Sequence, residues 1–374
     1  MDLSVRKSDL LRELQLFQGI IERKNTIPIL ANILFKANGN GSVRLLATDY
    51  EVGLRSQFTA SITKPGSLTV PAKKLYEIVR ALPDTDIRIR QGAKDTEGNS
   101  TVMVSADQFN SNMQTPPLED FPSVPEMDDA AQVDLPRELL RTMVARTMFA
   151  ITAEDQRYHL NGALFVVKSD AMSLIATDGH RLALATAARE GVEVEDAILP
   201  KKMLWELARL LSEGEGEYVQ YGCDDKHLLF KIDGRLLSSR KIELKFPAYE
   251  RVIPSGNNKK IEFDCDRLTN AIKRVELLAN EQSRAVTIQI SPNTVKVTSS
   301  GSKVGSAEEK LGVDYSGEDL QVCFQAKYVL DFLNAIDTES ATLELKDANS
   351  QAVMHPAGAE ANYTYVLMPM RTNQ

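Results

Sequence analysis

The feature that most constrains this chain is a pattern that it repeats three times: strand, amphipathic helix, strands around an Ala-Thr-Asp type turn, strand, second helix. The first helices start near Asp9, Arg137 and Arg267, about 130 residues apart. The second helices follow Val70-Pro71-Ala72-Lys73-Lys74-Leu75, Leu199-Pro200-Lys201-Lys202-Met203-Leu204 and Phe324-Gln325-Ala326-Lys327-Tyr328-Val329. The turns are Leu46-Ala47-Thr48-Asp49 and Ile175-Ala176-Thr177-Asp178, with Val297-Thr298-Ser299-Ser300 as a weaker third copy. In a chain of 374 residues this period selects three domains. A triplicated domain points to a molecule that works by its shape.

Each helix carries one apolar stripe. In the first repeat it is Leu10, Leu11, Leu14 and Phe17, with Gly19 as terminator. In the second it is Leu139, Leu140, Met143 and Thr147 after Pro136, and in the third Leu268, Ile272, Val275 and Leu278. The second helices bury Leu75, Val79 and Leu82; Leu204, Leu207 and Leu211; and Val329, Phe332, Leu333 and Ile336. β-rich segments at 43–47, 101–105, 163–167, 173–176, 228–232, 287–290 and 342–345 lie between turn signals such as Asp233-Gly234 and Ser291-Pro292-Asn293. Helices covering one face of mostly antiparallel sheet predict an α+β fold of three domains, residues 1–125, 130–254 and 259–374. Linkers rich in Pro, Ser or acidic residues are predicted at 122–129 and 254–258.

The composition is that of a folded, soluble protein, with no apolar run of about 18 residues to span a bilayer and no signal-peptide core behind Met1. Cys223, Cys265 and Cys323 have no CxxC spacing and predict reduced thiols and a cytoplasmic location, with no membrane role. A net charge of -8 argues against a generally basic nucleic-acid binder, yet the charge is unevenly placed. The six predicted helices hold 14 basic and 7 acidic residues, so they sum to +7 and the remainder to -15. Two readings follow: ordinary solvated helix faces, since Lys and Arg form helices well, or a basic surface that attracts phosphate without reading bases. The repeat favours the second, because it sets the same basic face at regular intervals.

Few residues suggest chemistry. In Thr177-Asp178-Gly179-His180-Arg181-Leu182, a hydrolase would use His180 as general base with Asp178 to orient it. Neighbours in one turn rarely aim at a common atom, and Asp178-Gly179 reads first as a tight turn. No phosphate loop ending in GK[ST] is present, and Gly214-Glu215-Gly216-Glu217 is acidic. Four histidines without ligand spacing predict no metal and no cofactor. The run Tyr365-Val366-Leu367-Met368-Pro369-Met370-Arg371 has two readings: a last strand tucked into the third domain, or a deformable apolar surface for partner peptides.

Along nearly its whole length the chain resembles the bacterial DNA polymerase III beta subunit family, the replicative sliding clamps. The resemblance is carried by Arg157-Tyr158-His159-Leu160-Asn161-Gly162, by residues 176–183, by Phe246-Pro247-Ala248-Tyr249-Glu250-Arg251-Val252-Ile253-Pro254 and by residues 365–371. It implies a head-to-tail homodimeric ring, six domains in all, with helices lining a central hole and antiparallel sheets outside. It implies a non-catalytic processivity factor that encircles double-stranded DNA without sequence preference. Partners would be the DNA polymerase III alpha subunit, the clamp loader, and other polymerases and repair proteins bearing short peptide motifs, in a cytoplasmic, nucleoid-associated setting.

The resemblance also implies sites. A peptide pocket would use Leu160, Thr177, Gly179, His180, Arg181, Leu182, Pro247, Arg251, Val252, Val366, Leu367, Met368, Pro369, Met370 and Arg371, with His180 and Arg181 at its rim. DNA contacts would come from Lys24, Lys73, Arg157, Tyr158 and Lys202, with Arg23 as an extra contact. The dimer would bring Lys74 and the 108–113 edge, including Phe109, Ser111 and Met113, against Leu277, Leu278, Glu308 and Glu309 of the partner. The chain departs from the family pattern where Ser111 takes a position often held by an interface Phe, with Phe109 two residues away. Ala153, Glu154 and His159 also replace more typical DNA-facing residues. The alternatives are a clamp-fold paralogue serving a specialised polymerase, and the hydrolase using Asp178 and His180.

Overall fold

In the computed structural model, residues 1–21, 27–94, 100–127, 132–152, 154, 156–301, 305–358 and 362–371 are described. The first repeat runs β1 (Asp2–Arg6), α1 (Lys7–Phe17), β2 (Asn32–Ala37), β3 (Ser42–Thr48), β4 (Val52–Thr59), β5 (Ser61–Lys64), β6 (Gly66–Pro71), α2 (Ala72–Ala81), β7 (Asp86–Lys94), β8 (Ser100–Ala106) and β9 (Phe109–Thr115). The second runs β10 (Gln132–Pro136), α3 (Arg137–Thr147), β11 (Gly162–Val167), β12 (Ala171–Thr177), β13 (Arg181–Ala188), β14 (Val194–Pro200), α4 (Lys201–Glu213), β15 (Tyr218–Cys223), β16 (His227–Ile232) and β17 (Arg235–Arg240). The third runs β18 (Lys259–Asp264), α5 (Cys265–Glu276), β19 (Ala285–Ser291), β20 (Thr294–Gly301), β21 (Gly305–Gly312), β22 (Leu320–Gln325), α6 (Ala326–Asn334), β23 (Ser340–Leu345), β24 (Ala352–Pro356) and β25 (Tyr363–Leu367). Apart from the added β5, the element order is the same three times.

The chain divides into two compact units that do not coincide with the repeats: residues 1–138 with 202–241, and residues 139–201 with 242–374. The first unit holds a five-stranded sheet, β5-β1-β7-β8-β9, and an eight-stranded sheet, β10-β15-β16-β17-β4-β3-β2-β6. The second holds an eight-stranded sheet, β14-β11-β12-β13-β25-β24-β23-β18, and a four-stranded sheet, β21-β20-β19-β22. Each large sheet joins two repeats by one antiparallel pairing. In the first, β4 takes β17, with Gly53 opposite Ser238. In the second, β13 takes β25, with Leu182 opposite Val366. Backbone groups left open at the edge of one repeat are thereby satisfied by the next.

The helices bury the predicted stripes with some corrections. In α1, Leu10, Leu14 and Phe17 are fully buried, and so is the carboxylate of Glu13, which Arg235 meets at 2.8 Å. Each such Leu contributes about 1.5–3 kcal/mol. In α5, Asp264 caps the first turn by accepting from the Arg267 amide at 2.8 Å, and Leu268, Ile272 and Val275 face inward. Leu139 is 40 % exposed, because Leu140, Met143, Val144 and Thr147 form the inward stripe and each residue turns the helix by about 100°. Leu278 lies beyond the end of α5 and is half-buried.

Two other readings change. The third copy of the turn, residues 297–300, lies inside β20, and the buried Ser299 hydroxyl donates to the Val275 carbonyl at 2.5 Å. Gly19 follows a helix already capped at Gln18, and what it supplies is space, since a Cβ there would run into the Glu206 carboxylate. Asp233 and Gly234 both adopt positive φ, 47° and 79°, as the two-residue hairpin between β16 and β17 requires.

Candidate docking pocket and nucleic-acid interface

In the second unit, the turn from β12 to β13 is tied down by its own side chains. The Thr177 hydroxyl accepts from the Gly179 amide (3.1 Å) and donates to the Arg181 carbonyl (2.7 Å). Oδ1 of Asp178 accepts from the His180 and Arg181 amides at 2.9 and 3.0 Å, and Oδ2 accepts from Arg181 Nε at 3.0 Å. Gly179 sits at φ 88°, where a side chain is disfavoured. Both Asp178 oxygens are thus committed to positions 180 and 181 of the turn itself, none to the imidazole of the exposed His180. This is the geometry of a braced loop, and it assembles no acid–base pair from these two residues.

Arg181 is buried, so it is not the rim residue that the resemblance implied. At 6 % exposure it also donates to Asp331 (2.6 Å), to the Phe149 carbonyl (2.6 Å) and to the Tyr365 hydroxyl (3.3 Å). Its guanidinium lies 4.3 Å from the centre of the Tyr328 ring. Burial works to lower its pKa, but Tyr365, Asp331 and Asp178 hold it above the ordinary value. Burial raises the Tyr365 phenol as well, so that hydroxyl stays protonated and able to donate to the Tyr328 carbonyl at 3.0 Å.

Strand alternation sorts the remaining pocket candidates. Leu182 and Val366 face each other across β13 and β25 and form an apolar floor with Ile175, Ile198 and Phe246. Leu164, Val166, Leu184, Ile242, Tyr249 and Ile253 pack around that floor and stay partly exposed. Pro247, Arg251 and Val252 are exposed on the covering segment, and Leu160 is buried in a 3-10 turn. The C-terminal residues follow on directly: the Met368 amide donates to the His180 carbonyl (2.9 Å) and the Met370 amide to the Cys323 carbonyl (2.8 Å). Met368 is 41 % exposed, Pro369 and Met370 are half-buried, and Arg371 is exposed. Leu367 is a correction. It pairs with Arg181, is fully buried, and lies on the sheet face opposite the floor.

The DNA candidates separate by what already holds them. Arg23 and Lys24 lie outside the described residues. Lys73 and Tyr158 are exposed, Tyr158 by 66 %. Arg157 pairs with Glu154 at 3.2 Å and donates to the Asp178 carbonyl at 3.1 Å. Lys202 forms a short ion pair with the nearly buried Asp49, so it is not the open cation that its position suggests. Other helix cations are held in the same way. Arg137 is buried and caps the end of α4 through the Leu211 carbonyl at 2.9 Å, while Arg209, Arg274 and Lys327 face Glu206, Glu309 and Asp331. Arg209–Glu206 and Lys327–Asp331 have the i,i+3 and i,i+4 spacing that a sequence shows, whereas Glu309 and Asp49 come from distant sequence.

Of the interface candidates, Phe109, Ser111, Met113, Glu308 and Glu309 lie at sheet edges, Lys74 lies in α2, and Leu277 and Leu278 follow α5. β9 and β21 are each the outermost strand of their sheet. On β9, Phe109 (39 % exposed), Ser111 and Met113 alternate onto one face, and the Ser111 hydroxyl donates to the Val104 carbonyl at 3.1 Å. Lys74 is exposed and paired with Glu77 at 3.1 Å. Leu277 is 79 % exposed, the most open large apolar side chain described. Glu308 and Glu309 on β21 are held by Lys296 and Arg274.

The Asp331–Tyr365–Phe149 support of Arg181 and the Asp49 counter-charge were missed from sequence. The repeated Thr-Asp of the two turns was the available signal, since it marks Asp49 and Asp178 as equivalent.

Comparison with known proteins agrees with this architecture. The DNA polymerase III beta subunit profiles match for the N-terminal domain over residues 1–125, the central domain over 134–248 and the C-terminal domain over 250–371. The beta sliding clamp of Pseudomonas putida is 35% identical over 379 residues, covering 99% of this chain and 100% of the relative. That of Escherichia coli K12 is 32% identical over 374 residues with the same coverage. The crystal structure of a Pseudomonas aeruginosa DnaN sliding clamp bound to griselimycin superposes with a TM-score of 0.92 at 34% identity, covering 100% of both chains. The Caulobacter crescentus beta sliding clamp gives 0.92 at 33% identity, covering 100% of this chain and 99% of that one. The chain belongs to the DNA polymerase III beta subunit family and functions as a sliding clamp in DNA replication.

Proposed function

We propose that two copies close head to tail into a ring that encircles duplex DNA and holds the replicative polymerase on it. The observation that carries this reading is the series of sheet junctions. The third strand after the first helix of each repeat is β4, β13 or β21, and the last strand of each repeat is β9, β17 or β25. β4 takes β17 and β13 takes β25, which leaves β21 and β9 as the remaining members, both at sheet edges. Pairing β21 of one copy with β9 of the next continues the rule, and a heterologous contact that closes after two copies makes a ring. Phe109 lies on the same face of β9 as Ser111, so it takes the role of the missing interface aromatic, against Leu277 and Leu278 of the partner.

In this reading Lys73, Tyr158 and Arg157 contact the DNA backbone without reading bases, while Asp49 holds Lys202 back from it. The floor of Leu182, Val366 and their neighbours receives apolar residues of short motifs from the polymerase, the clamp loader and repair proteins. The protein is a non-catalytic platform in the cytoplasm, associated with the nucleoid. Support comes from the topology, the braced pocket and the whole-length relatives.

The test is retention. Loaded onto nicked circular DNA, the clamp is expected to survive salt that strips it from linear DNA, because linkage is topological while phosphate contacts are screened. Equal loss from both templates would refute the ring. Sedimentation over a dilution series reads the dimer directly.

A further inference from the structure

The first unit contains a cleft of about 480 Å³ lined by Thr48, Tyr50, Glu51, Gly53, residues 122–126, Asp224, His227 and residues 238–240. Its position in the repeat is that of the apolar pocket. Thr48 accepts from the Tyr50 amide (3.1 Å), and Asp49 Oδ1 from the Glu51 and Val52 amides (2.9 and 2.7 Å). The Arg240 amide donates to the Glu51 carbonyl at 3.0 Å, as Met368 does to His180. A proline-bearing segment, 122–126, lines the cleft, and in the other site Phe246, Tyr249 and Ile253 of the matching segment pack on the apolar cluster. The floor differs, because Gly53 and Ser238 stand where the other site has Leu182 and Val366.

We infer that this cleft is a second docking site, and that its occupant is an extended peptide segment presenting a Lys or Arg side chain. Three carboxylates line it, Glu51, Glu126 and Asp224, against the cations Arg240 and, when protonated, His227. Arg55 already holds Glu126 at 2.9 Å, and His227 holds Asp224 at 3.2 Å. The exposed Glu51 carboxylate has no ion-pair partner among the described residues, and Tyr50, 45 % exposed, lines the same cleft. A carboxylate and an exposed tyrosine lining one cleft suit a cationic side chain. The hydroxyls of Thr48, Ser238 and Ser239 make the floor polar, so apolar motif residues gain little there. The inference takes its template from the docking reading of the apolar pocket, but its chemistry is separate.

The experiment measures fluorescence anisotropy of two labelled pentapeptides on the full-length clamp: Gly-Lys-Gly-Arg-Gly, and an apolar Gln-Leu-Ser-Leu-Phe. The basic peptide is expected to bind, to weaken at least fivefold in Glu51→Lys, and to change less than twofold in Glu190→Lys, which alters net charge equally outside the cleft. The apolar peptide is expected to ignore Glu51→Lys and to be lost in Leu182→Ser. Equal weakening of the basic peptide by both charge reversals would reduce its binding to net charge and overturn the site, as would no binding at all. Apolar-peptide binding that survives Leu182→Ser would instead overturn the docking reading of the apolar pocket.

Discussion

Thr48-Asp49 and Thr177-Asp178 open the same turn, with the same hydroxyl and carboxylate bonds to the amides that follow. What differs is the second atom of each aspartate and the residues beyond. Asp178 Oδ2 holds a buried Arg181 from its own turn, which ties in Asp331 and Phe149, whereas Asp49 Oδ2 holds Lys202, a quarter exposed, from α4. Past the turn come Leu182 on one side and Gly53 on the other, opposite Val366 and Ser238. At position 53 a Cβ would stand 2.7 Å from the Ser238 hydroxyl and 3.1 Å from Val124, so the first site cannot simply acquire the floor of the second. One backbone frame is therefore used twice, and the docking chemistry is decided by two facing side chains.

The largest expected effect tests the bracing. Arg181→Met leaves the mostly buried Asp178 without a counter-charge and Asp331 with Lys327 alone, and should cost about 3–5 kcal/mol in urea unfolding. A loss below ~1 kcal/mol would show that the network is decorative. The matching change, Lys202→Met, should cost much less, since that pair is only partly buried.

Next is the floor. Leu182→Ser with Val366→Ser gives the second site the polarity of the first, removing about 2–3 kcal/mol of apolar contact and at least ~30-fold in affinity for an apolar motif peptide. Calorimetry that finds full affinity would place the motif elsewhere.

The sheet junctions allow a smaller test. Phe109→Ala should weaken the dimer by about tenfold in sedimentation, or ~1.4 kcal/mol, while leaving the melting of each copy nearly unchanged. The smallest effect is expected from Asp49→Asn, which keeps the turn's amide bonds but removes the charge that faces Lys202. The salt dependence of DNA binding should steepen by about 0.9 in the log–log slope as one more phosphate is met.

The repeat, the helix stripes and the strand positions were legible because they rest on local periodicity, and the pocket segments because they cluster at the second turn and the C-terminus. The errors also have local causes. Leu139 and Leu140 are both apolar neighbours, and only packing chose Leu140 for the core. Arg181 and Leu367 look like surface docking residues in a list, but strand alternation turns both to the buried face. Lys202 reads as an open cation until Asp49, 153 positions away in sequence, is folded against it.

By itself, then, the sequence determined three α+β repeats and where the turns of the first two fall, since side-chain periodicity and turn chemistry act within a few residues. Only tertiary structure decided that β4 takes β17 and β13 takes β25, that β9 and β21 are left at edges, and which side chains form each floor. Those outcomes depend on hydrogen-bond partners and counter-charges brought together from distant parts of the chain, and no local pattern records them.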